Sequence, residues 1–328
     1  MAHLTGIDGT KGPHRWVVLS GVWLIYFSFG LTVAALGPLV TPITQDLKMT
    51  FGEMGTVLGA WPLIYILAAL PCGFLIDRIG PRKGLLIAAV IMGLSGLLRS
   101  AADTHLTLFL AVAIFGLGGP LISVGAPKVI ALLFQGKNRG LAMGIYITGP
   151  GLGGVVAISI SNSVLLPFFD DNWRLVTCGY GIFTLLSGIM WLLLSHNKAG
   201  KFIKTAVSND TNDPIVQTFK RLAAIPSVQL VLVLSVGIFF INHGLNNWLP
   251  EIIRAHGMSA SSAGYWASIP TAASVLSALI IPRYALPEKR ILILGLLITS
   301  SCIATLLLQV APGPLMLLGL VLQGIARG

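Results

Sequence analysis

An all-α protein of membrane-spanning helices is the fold class this sequence predicts, and three observations predict it. Apolar residues make up 55% of the chain and charged residues 10%, against roughly 25% charged in soluble domains. The mean hydropathy is +0.87. The apolar residues gather in about ten runs, each near the ~20 residues that a helix needs to cross a bilayer. The 38 glycines fit the same class, because glycine is commoner in spanning helices than in soluble ones. A formal net charge of +10 would suit nucleic acid if the cations formed a patch. Here they are scattered between apolar runs, so the expected partner is the lipid bilayer and not nucleic acid.

In chain order the runs cover 16–40, 53–75, 84–102, 106–134, 140–166 and 174–195, then 227–250, 259–282, 291–311 and 314 to the end. The first exceeds the apolar core of a signal peptide and more runs follow it, so it reads as retained. Cations sort by alternate connections. One side holds Lys11, Arg15, Arg78, Arg82, Lys83, Lys137, Arg139, Lys198, Lys201, Lys204, Lys220, Arg221, Arg283, Lys289 and Arg290. The other holds Lys48, Arg99, Arg174 and Arg254. The positive-inside rule then puts the N-terminus in the cytoplasm of a plasma (bacterial inner) membrane. The polar stretch 196–226 divides six spans in 1–195 from four in 227–328 and reads as a cytoplasmic linker, within which 215–222 also suits an amphipathic surface helix. Pro38, Pro62, Pro120, Pro150 and Pro270 fall inside spans, where they kink helices for motion or for packing.

An internal repeat supports two halves. Met49-Thr-Phe-Gly-Glu-Met-Gly55 and Met258-Ser-Ala-Ser-Ser-Ala-Gly264 both open the second span of their half, 209 positions apart, and Gly116-Leu-Gly and Gly324-Ile-Ala keep nearly that offset. Carried through, the offset would take the second half to roughly residue 403. The expectation is a C-terminally truncated chain with about ten of twelve helices.

The residues with chemistry are few. Gly73-Phe-Leu-Ile-Asp77-Arg78-Ile-Gly80-Pro81-Arg82-Lys83 puts one carboxylate and three cations in a tight turn between two spans. Sidedness explains the cations but not Asp77, which could accept from the unpaired N–H groups opening the next helix. Arg327 lies near the midplane of the last run, where a cation costs about 2.5–3.5 kcal/mol and normally faces a cavity or a partner. Its competing reading is an artefact of a helix cut short. Asn242, His243, Asn246 and Asn247 form two i,i+4 pairs, suited to lining a cavity or to hydrogen-bonding between helices, with Trp248 beyond them as a lid or interfacial residue. Lys128 either reaches substrate or snorkels to the interface. Tyr26 and Tyr146 could offer hydroxyls. Asp46, Glu53, Asp103, Asp170, Asp171, Asp210, Asp213, Glu251 and Glu288 sit in loops or near span ends. A cavity with a cation and no midplane carboxylate favours an anionic small molecule. Cys72, Cys178 and Cys302 show no paired spacing, so neither disulfide nor metal is indicated. With no phosphate-binding loop and no nucleophile–base set, no cofactor and no enzyme activity is expected.

Spelled G-x-x-x-D-R-x-G-x-R-K, the Asp77 segment resembles the loop 2–3 signature of the major facilitator superfamily of secondary transporters. Asn172-Trp173-Arg174 is similar to a pair common at the start of the sixth span there. Gly149-Pro150-Gly-Leu-Gly153-Gly154 resembles the core of an antiporter-associated motif, with Ile145 where that motif has Gly; close helix packing explains the same glycines. Gly125-Ala-Pro127-Lys128-Val-Ile, Arg139-Gly-Leu-Ala-Met-Gly-Ile-Tyr146 and Trp248-Leu-Pro250-Glu-Ile-Ile are similar to the cyanate/nitroimidazole permease-like branch. The resemblance implies two helical bundles rocking about a midplane site. It implies a gating loop of Gly73, Asp77, Arg78, Gly80, Arg82 and Lys83, with Asp77 locking the cytoplasmic side and Arg78 and Arg82 on neighbours or lipid phosphates. It also implies a small organic or inorganic anion as cargo, H+ as a coupling ion and a monomer. The alternatives are a proton-coupled drug exporter, which would need a buried carboxylate, and a non-transporting membrane sensor or defective fragment.

Overall fold

The computed structural model describes residues 12–205, 221, 223–284, 287–310 and 312–327. Its helices follow the apolar runs, and local sequence explains where each begins. Helix α1 (His14–Ala34) breaks at a 3-10 turn, Gly37–Leu39, around Pro38 and resumes as α2 (Val40–Asp46). Helix α3 (Phe51–Ile79) opens on a capping box: Glu53 N–H donates to Thr50 Oγ1 at 3.2 Å, and Thr50 N–H donates to Glu53 Oε2 at 2.8 Å, which satisfies two unpaired helix-end donors at once. A single residue, Gly80, joins α3 to α4 (Pro81–Ser100). Its φ of +83° is one that glycine adopts without strain, and Pro81 starts the next helix where a missing N–H costs nothing.

Thr104 and Thr107 cap α5 (His105–Leu133) in the same reciprocal way. Helix α6 (Gly136–Ile160) runs into a π turn, Ser161–Leu165, and the short α7 (Leu166–Phe168). Asn172 Oδ1 accepts from Arg174 N–H at 3.0 Å to open α8 (Trp173–Leu194). Then come α9 (Lys198–Thr205), α10 (Pro226–Ala255), α11 (Ala260–Tyr284), α12 (Arg290–Leu307) and α13 (Pro314–Arg327). No strand occurs among the described residues.

Seven of these helices are long and apolar enough to cross a membrane, counting described residues, and α12 and α13 supply two shorter apolar segments, Ile291–Leu307 and Pro314–Arg327. The sequence alone suggests about ten spans; α12 and α13 are shorter, and part of α10 lies outside the described side chains. The expected linker is partly helical. In α9, Ala199 and Ile203 are fully buried, packed on α1, α4 and α5. Most of 215–222 lies outside the described residues.

Helix α1 packs on α6 and α8, α3 on α5, and α4 on α5 and α8, while α11 packs on α10, α13 and α6, and α12 on α13. The larger apolar core lies among α1–α9. A smaller one joins Ile158 of α6 to Leu249, Ile253, Ala263, Ala267, Leu308, Met316 and Leu320. The outer faces are apolar too: Ile66 is 71% exposed and Leu186 56%. Water would penalise that surface and lipid does not.

Arg99 corrects an expectation. Read from sequence as a loop cation, it occupies the last turn of α4 and is 2% exposed. Its Nη1 donates to the Thr32 carbonyl at 3.0 Å, and its guanidinium lies 5.3 Å from the centre of the Phe115 ring. Thr32 is in the last turn of α1, where carbonyls lack helical partners, so the end of α1 and an aromatic face compensate the buried charge.

Candidate functional site

A cavity of about 430 Å³ lies between the two groups of helices, and its walls differ in kind. One wall comes from α1 (Phe29, Gly30, Val33, Ala34), α3 (Trp61) and α6 (Ile147, Pro150, Gly151, Gly154, Ile158), all of them apolar. The polar part of the lining comes from α10 (His243, Asn246, Asn247), α11 (Thr271, Ser274, Val275, Ala278) and α13 (Arg327). Helices α1 and α6 approach so closely that a Cβ on Gly30 would collide with the Pro150 carbonyl, and one on Gly153 with the Phe27 carbonyl. The glycine run of α6 is therefore a packing surface that draws the apolar wall together.

Arg327 is the sole cation on the described wall, which carries no carboxylate. Its Nη1 donates to Asn246 Oδ1, holding α13 to α10. One turn back on α10, His243 sets its ring edge against Trp61, with centroids 5.0 Å apart and planes at 82°. Trp61 also meets Phe29 (6.3 Å, 88°), Phe115 (5.8 Å, 89°) and Tyr65 (6.1 Å, 84°) edge to face. Such pairs attract through the ring quadrupole, so Trp61 is held on several sides and remains 8% exposed. A half-buried guanidinium beside amide and hydroxyl groups can bind an anion by charge-assisted hydrogen bonds. No group of three or more His, Cys, Asp or Glu suited to a metal occurs among the described residues.

Of the residues singled out from sequence, Arg327, His243 and Asn246 stand together on this wall, while the Asn242 side chain lies outside the described part. Four others stand elsewhere. Lys128 Nζ donates to Asp77 Oδ1 at 2.5 Å and so belongs to the Asp77 end of the molecule. Tyr26 and Tyr146 pack against each other with centroids 5.3 Å apart, behind the cavity lining. Trp248 packs edge to face on Phe51, 6.0 Å away at 73°.

The segment expected to be a gating loop is mostly helix. Gly73, Asp77 and Arg78 lie in α3, Arg82 and Lys83 in α4, and only Gly80 lies between them. Asp77 does not cap α4, whose N-cap has no side-chain hydrogen bond. It sits in the last turn of α3, where a carboxylate opposes the helix dipole, and Lys128 offsets it. Arg82 Nε donates to Ser195 Oγ at 2.9 Å and its carbonyl accepts from Trp191 Nε1 at 2.9 Å, tying α4 to the end of α8. Arg78 and Lys83 are exposed.

At the other end, Arg174 pairs with Asp46 and donates to the Ala102 carbonyl at 3.0 Å, and Trp173 Nε1 donates to Asp46 Oδ2 at 3.1 Å. Here the two groups of helices join. Thr41 donates to Glu251 Oε2 at 2.8 Å, Arg254 donates to Glu251 Oε1 at 2.9 Å, and Ser261 donates to the Asn162 carbonyl at 3.3 Å. Sequence reasoning missed this junction. Its only signal was a carboxylate and a cation three residues apart at the end of an apolar run.

The profile of the Major Facilitator Superfamily matches residues 22–328. The chain is 26% identical to a protein of Escherichia coli (strain K12) named probable L-galactonate transporter, over 70% of this chain and 52% of that protein. It is 25% identical to the 4-hydroxybenzoate transporter PcaK of Pseudomonas aeruginosa, over 81% of this chain and 65% of that one. The chain thus spans about half to two-thirds of the length of these curated relatives. Among solved structures it is similar to a bacterial homolog of the human lysosomal transporter Spinster, with a TM-score of 0.73 and 18% identity over 97% of this chain and 73% of the other.

Proposed function

The chain belongs to the Major Facilitator Superfamily, and on that premise we propose that it serves a secondary transporter carrying a small anion across the membrane by alternating access. One observation carries the reading: Arg327 stands on the wall of a cavity between two groups of helices, and no described wall residue is a carboxylate. A half-buried cation on a cavity wall favours a ligand of opposite sign. The relatives' names agree with an anion, since galactonate and 4-hydroxybenzoate are both carboxylates. An exporter of cationic drugs would call for a buried acid to meet its cargo, which the described wall does not offer.

The protein is a multi-pass integral membrane protein. In this reading 1–195 is a six-helix bundle, 196–226 a cytoplasmic linker and 227–328 the remaining four helices, about ten spans in all. The bundles rock about the cavity. The Asp77 end faces the cytoplasm, as its excess of Lys and Arg suggests, and the Thr41–Glu251 junction closes the opposite side. Asp77 and Lys128 brace the cytoplasmic end, so Lys128 acts in gating and not on substrate. The protein acts as a monomer, with H+ as the coupling ion.

Proteoliposomes supplied with labelled small anions in the outer medium test the reading. Uptake is expected to be saturable and to fall at least about tenfold in Arg327→Gln, the loss of one charge-assisted contact, with partial recovery in Arg327→Lys. Flux of organic cations that is indifferent to Arg327→Gln would overturn it.

A further inference from the structure

We propose that the ligand of this cavity is an amphiphilic monocarboxylate, a single carboxylate on an apolar aromatic body, with Trp61 as the residue that selects for the ring. The inference rests on the anion reading and narrows it.

The two walls divide the work. All hydrogen-bonding side chains of the described lining, apart from the indole of Trp61, come from α10, α11 and α13. The Arg327–Asn246 pair is their charged centre. Ten further lining residues, from α1, α3 and α6, present an apolar surface that includes Phe29 and Trp61. A ligand that meets both sets of residues has one charged end and one end without polar groups.

Two other anion classes fit poorly. A sugar acid carries hydroxyls along its length, and those turned to the apolar wall would lose water and gain no partner. An inorganic anion is far smaller than a cavity of about 430 Å³ and leaves that wall uncovered. The names of the relatives do not choose, since one is a sugar acid and one an aromatic acid. The chemistry of the wall does. The cation on the described lining, Arg327, pairs with one carboxylate.

Trp61 is placed for selection. Its neighbours His243, Phe29, Phe115 and Tyr65 all meet it at between 82° and 89°, which fixes its plane before any ligand enters. Trp61 is part of the lining, and an indole already held in place meets a flat body without the cost of ordering a mobile side chain. His243 and Asn246 lie one turn apart on α10, so the ring contact and the charged contact are held in register by a single helix.

The test is direct binding to the purified protein by calorimetry, with benzoate, cyclohexanecarboxylate, acetate and gluconate as probes. Benzoate is expected to bind at least about tenfold tighter than acetate or gluconate, the range that a few buried carbon atoms supply, and tighter than cyclohexanecarboxylate. Trp61→Leu should narrow the benzoate-to-acetate ratio below about threefold, with Trp61→Phe between the two. Gel filtration and thermal unfolding check that each variant is folded, and Trp61→Phe keeps the test open if Trp61→Leu does not fold. Gluconate binding as tightly as benzoate, or a ratio unmoved by either variant, overturns the inference while leaving anion binding intact. Cyclohexanecarboxylate binding as tightly as benzoate overturns the aromatic requirement and the role given to Trp61. If no probe binds and Arg327→Gln changes nothing, the anion reading fails and this inference falls with it.

Discussion

Arg99 shows how a single side chain can answer two problems at once. The break in α1 leaves the Thr32 carbonyl without a helical donor, and a cation buried in a membrane protein needs a partner. Each supplies what the other lacks at 3.0 Å, although Arg99 Nε stays unpartnered. Replacing Arg99 with Met should therefore lower stability by about 1–2 kcal/mol, the worth of a charged hydrogen bond less the relief of that buried Nε. The check is the apparent unfolding midpoint of Arg99→Met in detergent; an unchanged or raised midpoint would show that the Thr32 carbonyl does not need the guanidinium. Glycines divide in the same residue-by-residue way. A Cβ on Gly153 meets the α1 backbone, whereas one on Gly73 meets nothing within 4 Å. Gly153→Ala is expected to cost about 1–3 kcal/mol as an overpacked contact, and Gly73→Ala to cost nothing measurable. Comparing folded yield and unfolding midpoint of the two variants tests the distinction.

At the scale of helices, the most specific claim concerns α3 and α5, joined by Asp77 and Lys128. Both side chains are more than a third exposed (42% and 36%), so solvent screens the pair and its coupling should lie near 0.2–1 kcal/mol. A double-mutant cycle of Asp77→Asn and Lys128→Gln is expected to give that coupling, and the charge-swapped double variant should recover part of it. Additive effects would mean that the pair does not brace this end. The helices themselves are largely legible in the sequence, since a run of some twenty apolar residues is the length and composition that a bilayer demands. Their interruptions are not. The 3-10 turn at Pro38 and the π turn at Ser161–Leu165 depend on tertiary partners, such as Asn162 Nδ2 donating to the Pro38 carbonyl at 2.9 Å. The polar wall is legible through Arg327, His243 and Asn246, because polar residues in mid-span need a reason to be there. The apolar wall is not, because a residue facing a cavity, a core or lipid is spelled with the same letters. Arg99 reads as a loop cation for a related reason: near a helix end, sequence cannot separate a buried cation from an exposed one. Lys128 reads as a substrate contact or a snorkelling cation because its partner lies 51 positions away.

Across the whole molecule, the two groups of helices meet at the Asp46 end through Thr41 and Glu251, with Arg254 holding the carboxylate. Removing that carboxylate should loosen the junction. In Glu251→Ala, a cysteine placed at Ser261 is expected to react with a water-soluble maleimide roughly fivefold faster than in the unaltered background, the population change that about 1 kcal/mol produces. Equal rates would show that other contacts keep this end shut. The connector at the opposite end has a mechanical consequence. With Gly80 alone between Ile79 and Pro81, there is no slack: α3 cannot tilt without dragging α4, and α4 is seated on α8 and tied to it through Arg82. These three helices must swing as one stiff plate. Bending is then left to the places where the helical ladder is already broken, at Gly37–Leu39 and Ser161–Leu165, and both of those creases lie beside the junction that has to open.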